Sequence, residues 1–204
     1  QARKDLSGQS SGTHGYSSGG QTPPSTFHNT IDKFSFSSDG NATDVGDLTQ
    51  ARSGPAGQSS PSHGFTSGGY APAIPGRTNI IDRFAFASDA NATDYGDTLT
   101  AKSNIAGNSS VSNGYVSGGA SPITNVIEKF PFASSANATD VGDLTQARTK
   151  ATGQNSTSNG YVSGGTPFTA KTDLIDKFPF ASDANATDVG DLTHTREFHA
   201  GQQV

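Results

Sequence analysis

The chain repeats one sequence block four times. Each block carries a Gly-Gly pair followed by an apolar segment, and the first phenylalanine of that segment is Phe34, Phe84, Phe130 and Phe178 in turn. The successive offsets are 50, 46 and 48 residues. A repeat of this length is one supersecondary unit that buries its apolar faces against neighbouring copies. We therefore predict one repeat domain, with repeats at 1–49, 50–99, 100–145 and 146–193 and a partial fifth repeat or closing strand at 194–204.

The segments within each block have the period of strands. In the stretch 175–180, Asp176, Phe178 and Phe180 alternate with Ile175, Lys177 and Pro179, which is typical of a strand with one buried face. The Gly-Gly pair ends a strand and permits positive φ. No segment has helical periodicity. The sequence predicts an all-β fold with four short strands per repeat.

The order of these segments resembles the Kelch repeat. An Arg after a Leu step (Leu48–Arg52), a polar strand, an aromatic strand ending in Gly-Gly and a strand with regularly placed aromatics carry the resemblance, which covers nearly the whole chain. It implies a β-propeller of four-stranded blades of 46–50 residues. The tryptophan usual in the fourth strand is replaced at one repeated position: Val45, Tyr95, Val141 and Val189.

The amino-acid sequence of the repeats has a second resemblance. The phrases "IDKFPFAS" and "NATDVGDLT" are similar to Kelch-like repeats in structural and tail-fibre proteins of marine bacteriophages. This resemblance implies a virion or extracellular setting.

One piece occurs five times rather than four. It begins with Arg or Lys and ends in Gly-Gln or Gly-Asn, at 3–9, 52–58, 102–108, 148–154 and 196–202. In a closed ring of four units the first and last copies would compete for one strand position. Two interpretations stay open: the chain is a stretch of a longer array, or ring closure leaves one end over.

Composition excludes several classes of partner. The net charge is −5 at pH 7, and no run of Lys and Arg exceeds two residues, so there is no electrostatic footprint for nucleic acid. No apolar run approaches membrane-spanning length. The absence of cysteine excludes disulfides, thiolate metal sites and cysteine nucleophiles. We predict no nucleic-acid partner and no membrane insertion.

The stretch "FASDANATDVGDLT" at 180–193 allows three interpretations. Asp183, Asn185 and Asp188, with Thr187, offer oxygen ligands that suit Ca²⁺, but the glycine at the sixth position and the late bidentate Glu of a calcium loop are missing. In a eukaryotic secreted protein the Asn-Ala-Thr sequons would accept glycans. They begin at Asn41, Asn91, Asn137 and Asn185, and two further sequons begin at Asn108 and Asn155.

We favour the third interpretation, a hairpin turn between the last two strands of each repeat. Asp and Asn would cap it by bonding their own backbone, and glycine would supply the tight turn.

Catalytic residue types are present without an enzyme pattern. Asp44 and Asp47 form a carboxylate pair, but repeats with the same sequence give such pairs the same surroundings and do not separate two pKa values. His194 and His199 could hold a metal, although surface histidines at strand ends are more common. Kelch-fold copper oxidases use a cysteine, which this chain lacks. We predict no enzymatic activity and no cofactor.

Binding residues are sought where the repeats differ. The linkers after Gly-Gly read "QTPPSTFHNT", "YAPAIPGRTNI", "ASPITNV" and "TPFTAKTDL". In a propeller such loops emerge on one face and form a composite surface. The predicted contact residues are Phe27, Tyr70, Arg77, Phe168 and Lys171. The alternative is that the loops vary because nothing selects them.

One cation per repeat is predicted to be structural. The series is Arg3, Arg52, Lys102, Arg148 and Arg196. Each would pair with the Asp pair of the preceding turn and bridge neighbouring repeats, and an exposed pair of this kind contributes about 0.2–1 kcal/mol.

These patterns lead to one functional expectation and two alternatives. We expect a non-enzymatic structural and binding module, extracellular or on a virion, in a fibre or appendage that contacts a host surface or partner protein, as a homo-oligomer or part of a larger assembly. The first alternative is a multivalent lectin that binds a cell-surface glycan through one aromatic per repeat: Tyr16, Phe65, Tyr115 and Tyr161. The second is a protein that self-assembles into a filament.

Overall fold

Each of the four repeats folds into one antiparallel sheet of four strands. The sheets belong to a computed structural model that describes residues 2–73 and 76–201. In the first repeat the strands β1 (Ser7–Ser10), β2 (His14–Ser18), β5 (Thr30–Ser35) and β6 (Thr43–Asp47) follow one another across the sheet in chain order.

The other three sheets have the same order. They comprise β7 (Ala56–Ser59), β8 (His63–Ser67), β11 (Ile80–Ala85) and β12 (Thr93–Asp97); β13 (Ala106–Ser109), β14 (Asn113–Ser117), β15 (Val126–Pro131) and β16 (Thr139–Asp143); and β17 (Thr152–Asn155), β18 (Asn159–Ser163), β19 (Leu174–Pro179) and β20 (Thr187–Asp191). The all-β prediction is confirmed, and among the described residues no helix is long and apolar enough to cross a membrane.

The first two linkers contain short hairpins that the sequence did not predict. In the first repeat β3 (Gln21–Thr22) pairs with β4 (Thr26–Phe27), and in the second β9 (Tyr70–Ala71) pairs with β10 (Gly76–Arg77). A single bridge ties each linker to the residues before the first strand of its own repeat, for example Ser103 with Ala120. The linkers are therefore anchored at their bases.

A glycine faces a phenylalanine across the two middle strands of every sheet. The pairs in register are Gly15 with Phe34, Gly64 with Phe84, Gly114 with Phe130, and Gly160 with Phe178. The ring lies so close over the glycine that a Cβ placed there would stand 2.3 Å from the ring tip. The glycine is therefore required by packing.

The phenylalanines join each sheet to the preceding one. Phe86 stacks on Tyr16 with ring centroids 4.8 Å apart, and the following two pairs, Phe132 on Phe65 and Phe180 on Tyr115, repeat this geometry at 4.7 and 5.0 Å. Phe84, Phe130 and Phe178 lie beside these rings and are almost fully buried. The apolar core is thus located between repeats.

The predicted alternation is confirmed in β19, where Asp176 and Phe178 are buried between half-buried neighbours, whereas neighbours cover both faces of the inner sheets. Ile81 and Asp82 are consecutive in β11, yet both are fully buried. The ladder register shifts between them, and the same bulge recurs at the corresponding step of the other three repeats. The extra residue of the bulge is Tyr95 of β12, whereas β11 stays in regular register with β8, so Ile81 and Asp82 point to opposite faces and a different neighbouring repeat covers each.

The first strands β1, β7, β13 and β17 lie side by side in that order. The amide of Gly54 donates to the carbonyl of Asp5 at 2.8 Å. In the same way the amide of Asn104 donates to Gly54, that of Lys150 to Asn104, and that of Phe198 to Lys150. Five residues at this repeated position have positive φ. The first strands and His199–Gly201 line a common cavity of about 540 Å³.

We expect Gly114→Ala to destabilise the protein far more than Gly15→Ala. Both changes place a methyl group against a phenylalanine ring, but Phe130 is fully buried while Phe34 is 40% exposed and free to turn away. Overpacking of a fixed core ring costs about 1–3 kcal/mol. Urea denaturation followed by circular dichroism measures both variants, and equal losses would contradict the between-repeat core.

Candidate functional site

The variable linkers lie together at one end of the sheets, where the second strand of each repeat ends. Phe27 packs against Tyr70 of the next repeat with ring centroids 5.6 Å apart. The Nε of Arg77 donates to the Oγ of Ser103 at 3.0 Å, again in the next repeat. Phe168 is 74% exposed and Tyr70 39%. The structure thus brings predicted contact residues to one end, with two aromatics available to a partner.

A charged cluster joins the fourth linker to the segment 197–201, named here the terminal segment. Glu197 lies 3.2 Å from the Nζ of Lys150 and 3.4 Å from that of Lys171. The hydroxyl of Thr166 donates to Glu197 at 2.6 Å. This hydrogen bond is the largest single cause of the lowered pKa of Glu197, and the two lysines also lower it. Lys171, a predicted contact residue, therefore has an intramolecular partner.

The Asp-Asn-Thr stretches lie at the opposite end of the sheets. Residues 36–42 connect β5 to β6, and five later residues of the motif, Thr43–Asp47, form β6 itself. Asp44 bonds its own backbone within β6 and not in the turn, since its Oδ1 accepts from the amide of Gly46 at 3.2 Å. The predicted hairpin position is thus confirmed, although five of the fourteen residues of the motif are strand.

The asparagine of the motif bonds the preceding repeat and not its own turn. Oδ1 of Asn91 accepts from the amide of Asp47 at 3.0 Å, and the Asn137–Asp97 and Asn185–Asp143 pairs have the same length. The prediction of self-capping by Asn is wrong, because the loop of each repeat lies against the fourth strand of the repeat before it.

The three calcium-ligand candidates of the fourth repeat have different partners. Asp183 forms an ion pair with Lys129, Asn185 accepts from Asp143, and Asp188 accepts from Gly190. The three candidate oxygens serve three separate partners. Within residues 2–73 and 76–201 there is no group of three or more His, Asp and Glu side chains that could hold a metal ion.

The sequons differ in accessibility. Asn41, Asn91, Asn137 and Asn185 are exposed. Asn108 is fully buried, and its Nδ2, the atom a glycan would modify, donates to the carbonyls of Gln154 and Tyr161 at 2.8 and 3.0 Å. Asn155 is also buried. In the folded protein these last two sequons are structural residues.

The predicted sugar-binding aromatics are wrong for three of the four repeats. Tyr16, Phe65 and Tyr115 are at most 4% exposed, because the phenylalanines of the next repeat stack on them. A sugar needs an open ring face, which they do not present. Tyr161, in the fourth repeat, is half-buried.

The repeated cations are structural, but their predicted partners are wrong. Arg52 pairs with Asp82 at 2.8 Å and Arg148 with Asp176 at 2.9 Å, in both cases with side chains 0% exposed. Lys102 pairs with Glu128 and Arg3 with Asp32 in the same way. The acid comes from the third strand of the same repeat, on the face that the preceding repeat covers.

A residue of the preceding repeat completes each buried pair. Thr49 donates to Asp82 through its amide at 3.0 Å and its hydroxyl at 2.8 Å, and Thr145 binds Asp176 similarly. Burial lowers the pKa of Arg52 and raises that of Asp82, while their pairing acts in the opposite direction on both. Burial of the pairs still costs desolvation free energy, since Nε and Nη1 of Arg52 and Arg148 have no partner among the described residues.

Sequence reasoning missed a second set of between-repeat bonds. The Nε2 of Gln9 donates to the carbonyl of Phe65 at 3.0 Å, and Gln58 reaches Tyr115 at 3.1 Å. The signal was the Gln or Asn that ends the fivefold piece. Its recurrence could have shown that a polar side chain is needed there, but not that it bonds the next repeat.

We expect Arg148→Met to destabilise the protein by about 3–5 kcal/mol, because it leaves Asp176 buried without its partner. Arg196→Met is the matched control, since Arg196 has the same repeat position but is exposed. Its effect should stay within about 0.5 kcal/mol. Denaturation in urea measures both. A loss for Arg148→Met no larger than for the control would contradict the importance of the buried pair.

The terminal segment contains a pH-sensitive contact. The Nε2 of His199 lies 3.0 Å from the Oγ of Ser163, and its Nδ1 is buried without a partner in the described part of the chain. Burial, and to a smaller degree the charge of Arg196, lower the pKa of His199 from its usual 6.5. The contribution of neutral His199 is complete above pH 6.5 and is lost as the pH falls below that value.

We therefore expect hydrogen exchange of the terminal-segment amides, corrected for intrinsic rates, to accelerate from about pH 7.5 to about pH 5. Leu6 occupies the position of His199 in the first copy of the piece, so His199→Leu is the natural control and should remove the acceleration. A pH response that persists in this variant would assign the effect to another group.

Comparison with protein-family models gave no match, and comparison with curated proteins gave none either.

Proposed function

We propose that the chain forms blades of a Kelch-like β-propeller and acts as a non-enzymatic structural and binding module. Three features support the propeller: each sheet has its strands in chain order, the first strands lie side by side, and they line a common cavity. The sheets are joined along their faces, as blades are.

The observation that carries the binding role is a contrast within each repeat. The sheets share glycine–phenylalanine pairs, buried ion pairs and between-repeat bonds, whereas the linkers differ in length, charge and aromatic content. A constant framework that presents differing loops at one end is a common design for recognition. Phe168 and Tyr70 are the exposed aromatics of that end.

The proposed setting is a fibre or appendage on a virion or cell exterior that contacts a host surface. Its support is the resemblance of the repeat wording to bacteriophage structural and tail-fibre proteins, together with a composition low in charge and free of cysteine. A persistent scaffold in an exposed position needs no catalytic group, and Asp44 bonds the amide of Gly46 in its own strand.

Labelled full-length chain tested on a panel of intact marine bacteria examines the binding role. We expect Phe168→Ala combined with Tyr70→Ala to reduce cell binding on the order of tenfold, the loss expected when anchor aromatics are removed. Val111→Ala is the matched control, because Val111 is 80% exposed in the turn between β13 and β14 at the opposite end. Unchanged binding by the linker variant would overturn the assignment of this end.

A glycan array distinguishes the lectin alternative. Multivalent binding to a defined glycan would mark a carbohydrate-binding protein, whereas a protein-binding module gives no array signal but still labels cells. Electron microscopy viewed along the cavity axis tests the architecture, since blades around a central hole support the propeller and a straight stack of sheets contradicts it.

A further inference from the structure

Among the described residues, the outer faces of the first and fourth repeats are not covered by another repeat. On the first repeat, Phe34 and Phe36 are 40% and 57% exposed, although their counterparts are the buried rings of the core. On the fourth repeat, Val189 is 46% exposed and Tyr161 lacks the stacked phenylalanines that cover Tyr16, Phe65 and Tyr115. The exposed rings of the first repeat are thus the counterparts of the rings that, elsewhere in the array, cover an aromatic at the repeat position of Tyr161.

The polar groups of the two faces match in the same way. Asn41 of the first repeat is exposed. Its counterparts in the later repeats accept from the amides of Asp47, Asp97 and Asp143 in the repeat before them. The residue of the fourth repeat that corresponds to these aspartates is Asp191, which is also exposed. Gln154 bonds Ser163 within its own sheet, whereas Gln9 and Gln58 reach the next repeat. By the register of the repeats, the counterpart of Gln154 on the first repeat is the carbonyl of Tyr16.

The acid of the first repeat is also incompletely bonded. Asp32 has Arg3 but lacks the threonine of a preceding repeat that completes Asp82 and Asp176, and its side chain is 29% exposed where theirs are buried. Thr193 occupies the matching position on the fourth repeat and is exposed.

The charges of the two faces are complementary. Lys33 pairs with Asp89 of the next repeat, and Lys129 pairs with Asp183, both at 2.5 Å. Lys177 is the corresponding lysine of the fourth repeat, and Asp39 is the corresponding acid of the first. Neither forms an ion pair within the described residues.

The terminal segment occupies part of the surface on which a following repeat would pack. The amide of Phe198 donates to the carbonyl of Lys150, just as the amide of Lys150 donates to that of Asn104. Gly201 likewise lies against the carbonyl of Gly153, as Gly153 lies against that of Gly107. Residues 197–201 thus occupy the place that residues 4–8 of a following unit would take. Ser7 and Gly8 belong to β1, which pairs with β2, and Gln9 bonds Ser7, whereas residues 197–201 form no strand.

We propose that the first repeat of a second copy of this chain docks on the fourth repeat, head to tail, and displaces the terminal segment. Phe34 and Phe36 of one copy cover Tyr161 of the other, Asp39 meets Lys177, and Asp32 accepts from Thr193. The contact is heterologous, so it closes into a ring or continues as a filament according to the rotation it imposes. It does not depend on what the linkers bind.

Sedimentation velocity over a concentration series tests the joint on the full chain. We expect concentration-dependent association that Phe36→Asp abolishes, because it places a charge in the core of the joint. Phe168→Asp is the matched control: it gives an exposed phenylalanine of a linker the same charge and should leave association unchanged. Phe36 is exposed in the single copy, so unfolding curves of both variants should match the parent.

Charge reversal tests the orientation. Lys177→Asp and Asp39→Lys should each weaken association, and the double variant should restore it, since the pair is then re-formed with exchanged signs. Independent effects without restoration would overturn the head-to-tail pairing.

Truncation after Arg196 tests the role of the terminal segment. Removal of a competing segment should strengthen association, with a fall in dissociation constant on the order of tenfold. Weaker association after truncation would overturn the displacement, and a monomer at every concentration in both chains would overturn the joint itself. Loss of cell binding by linker variants is a separate result that leaves this test unaffected.

Discussion

The stacking of one repeat's phenylalanines on the preceding repeat's aromatic ring is the interaction on which the rest of the structure depends. A four-stranded sheet of this size has two faces and cannot cover either one itself. The repeats solve this by placing their large apolar side chains at the joints. The close glycine–phenylalanine pairs, the bulges and the buried acids all follow from the need to bring sheets into face-to-face contact.

Much of the interior between the sheets is polar. Arg52, Asp82 and Gln58 are fully buried, and each is bonded to residues that a neighbouring sheet or strand holds in place. Such groups contribute less to stability than apolar packing would, but the free-energy cost is large when misalignment leaves them buried without partners. In a chain whose four units could pair in several registers, this sensitivity favours one alignment of each repeat on the next. The aromatic rings supply cohesion, and the polar bonds supply register.

The sequence predicted the repeat, the strands and the place of the Asp-Asn-Thr turn, because these depend on local patterns that recur in the chain. It did not predict the partner of Asn91, the acid paired with Arg52, or the burial of Tyr16. Recurrence shows that a residue is needed once per repeat, but it does not distinguish a bond within a repeat from one between repeats. A position that looks like a surface aromatic in one unit becomes core when the next unit covers it. Coverage of both sheet faces had a similar effect, since consecutive residues such as Ile81 and Asp82 then both lie in the interior, where a single covered face would bury only one.

Contacts that run from each sheet to its nearest neighbours also determine how the array would respond to force. Each sheet is held by its own joints, so a pull applied at the two ends of the chain is borne by the joints in series and not by one shared core. The outer sheets, with one joint each, are the weakest elements in that series. Extension would proceed by the release of whole sheets in discrete steps, and the sheets left behind would keep their contacts. An array of this kind absorbs mechanical work gradually, which a single-core domain of the same length does not.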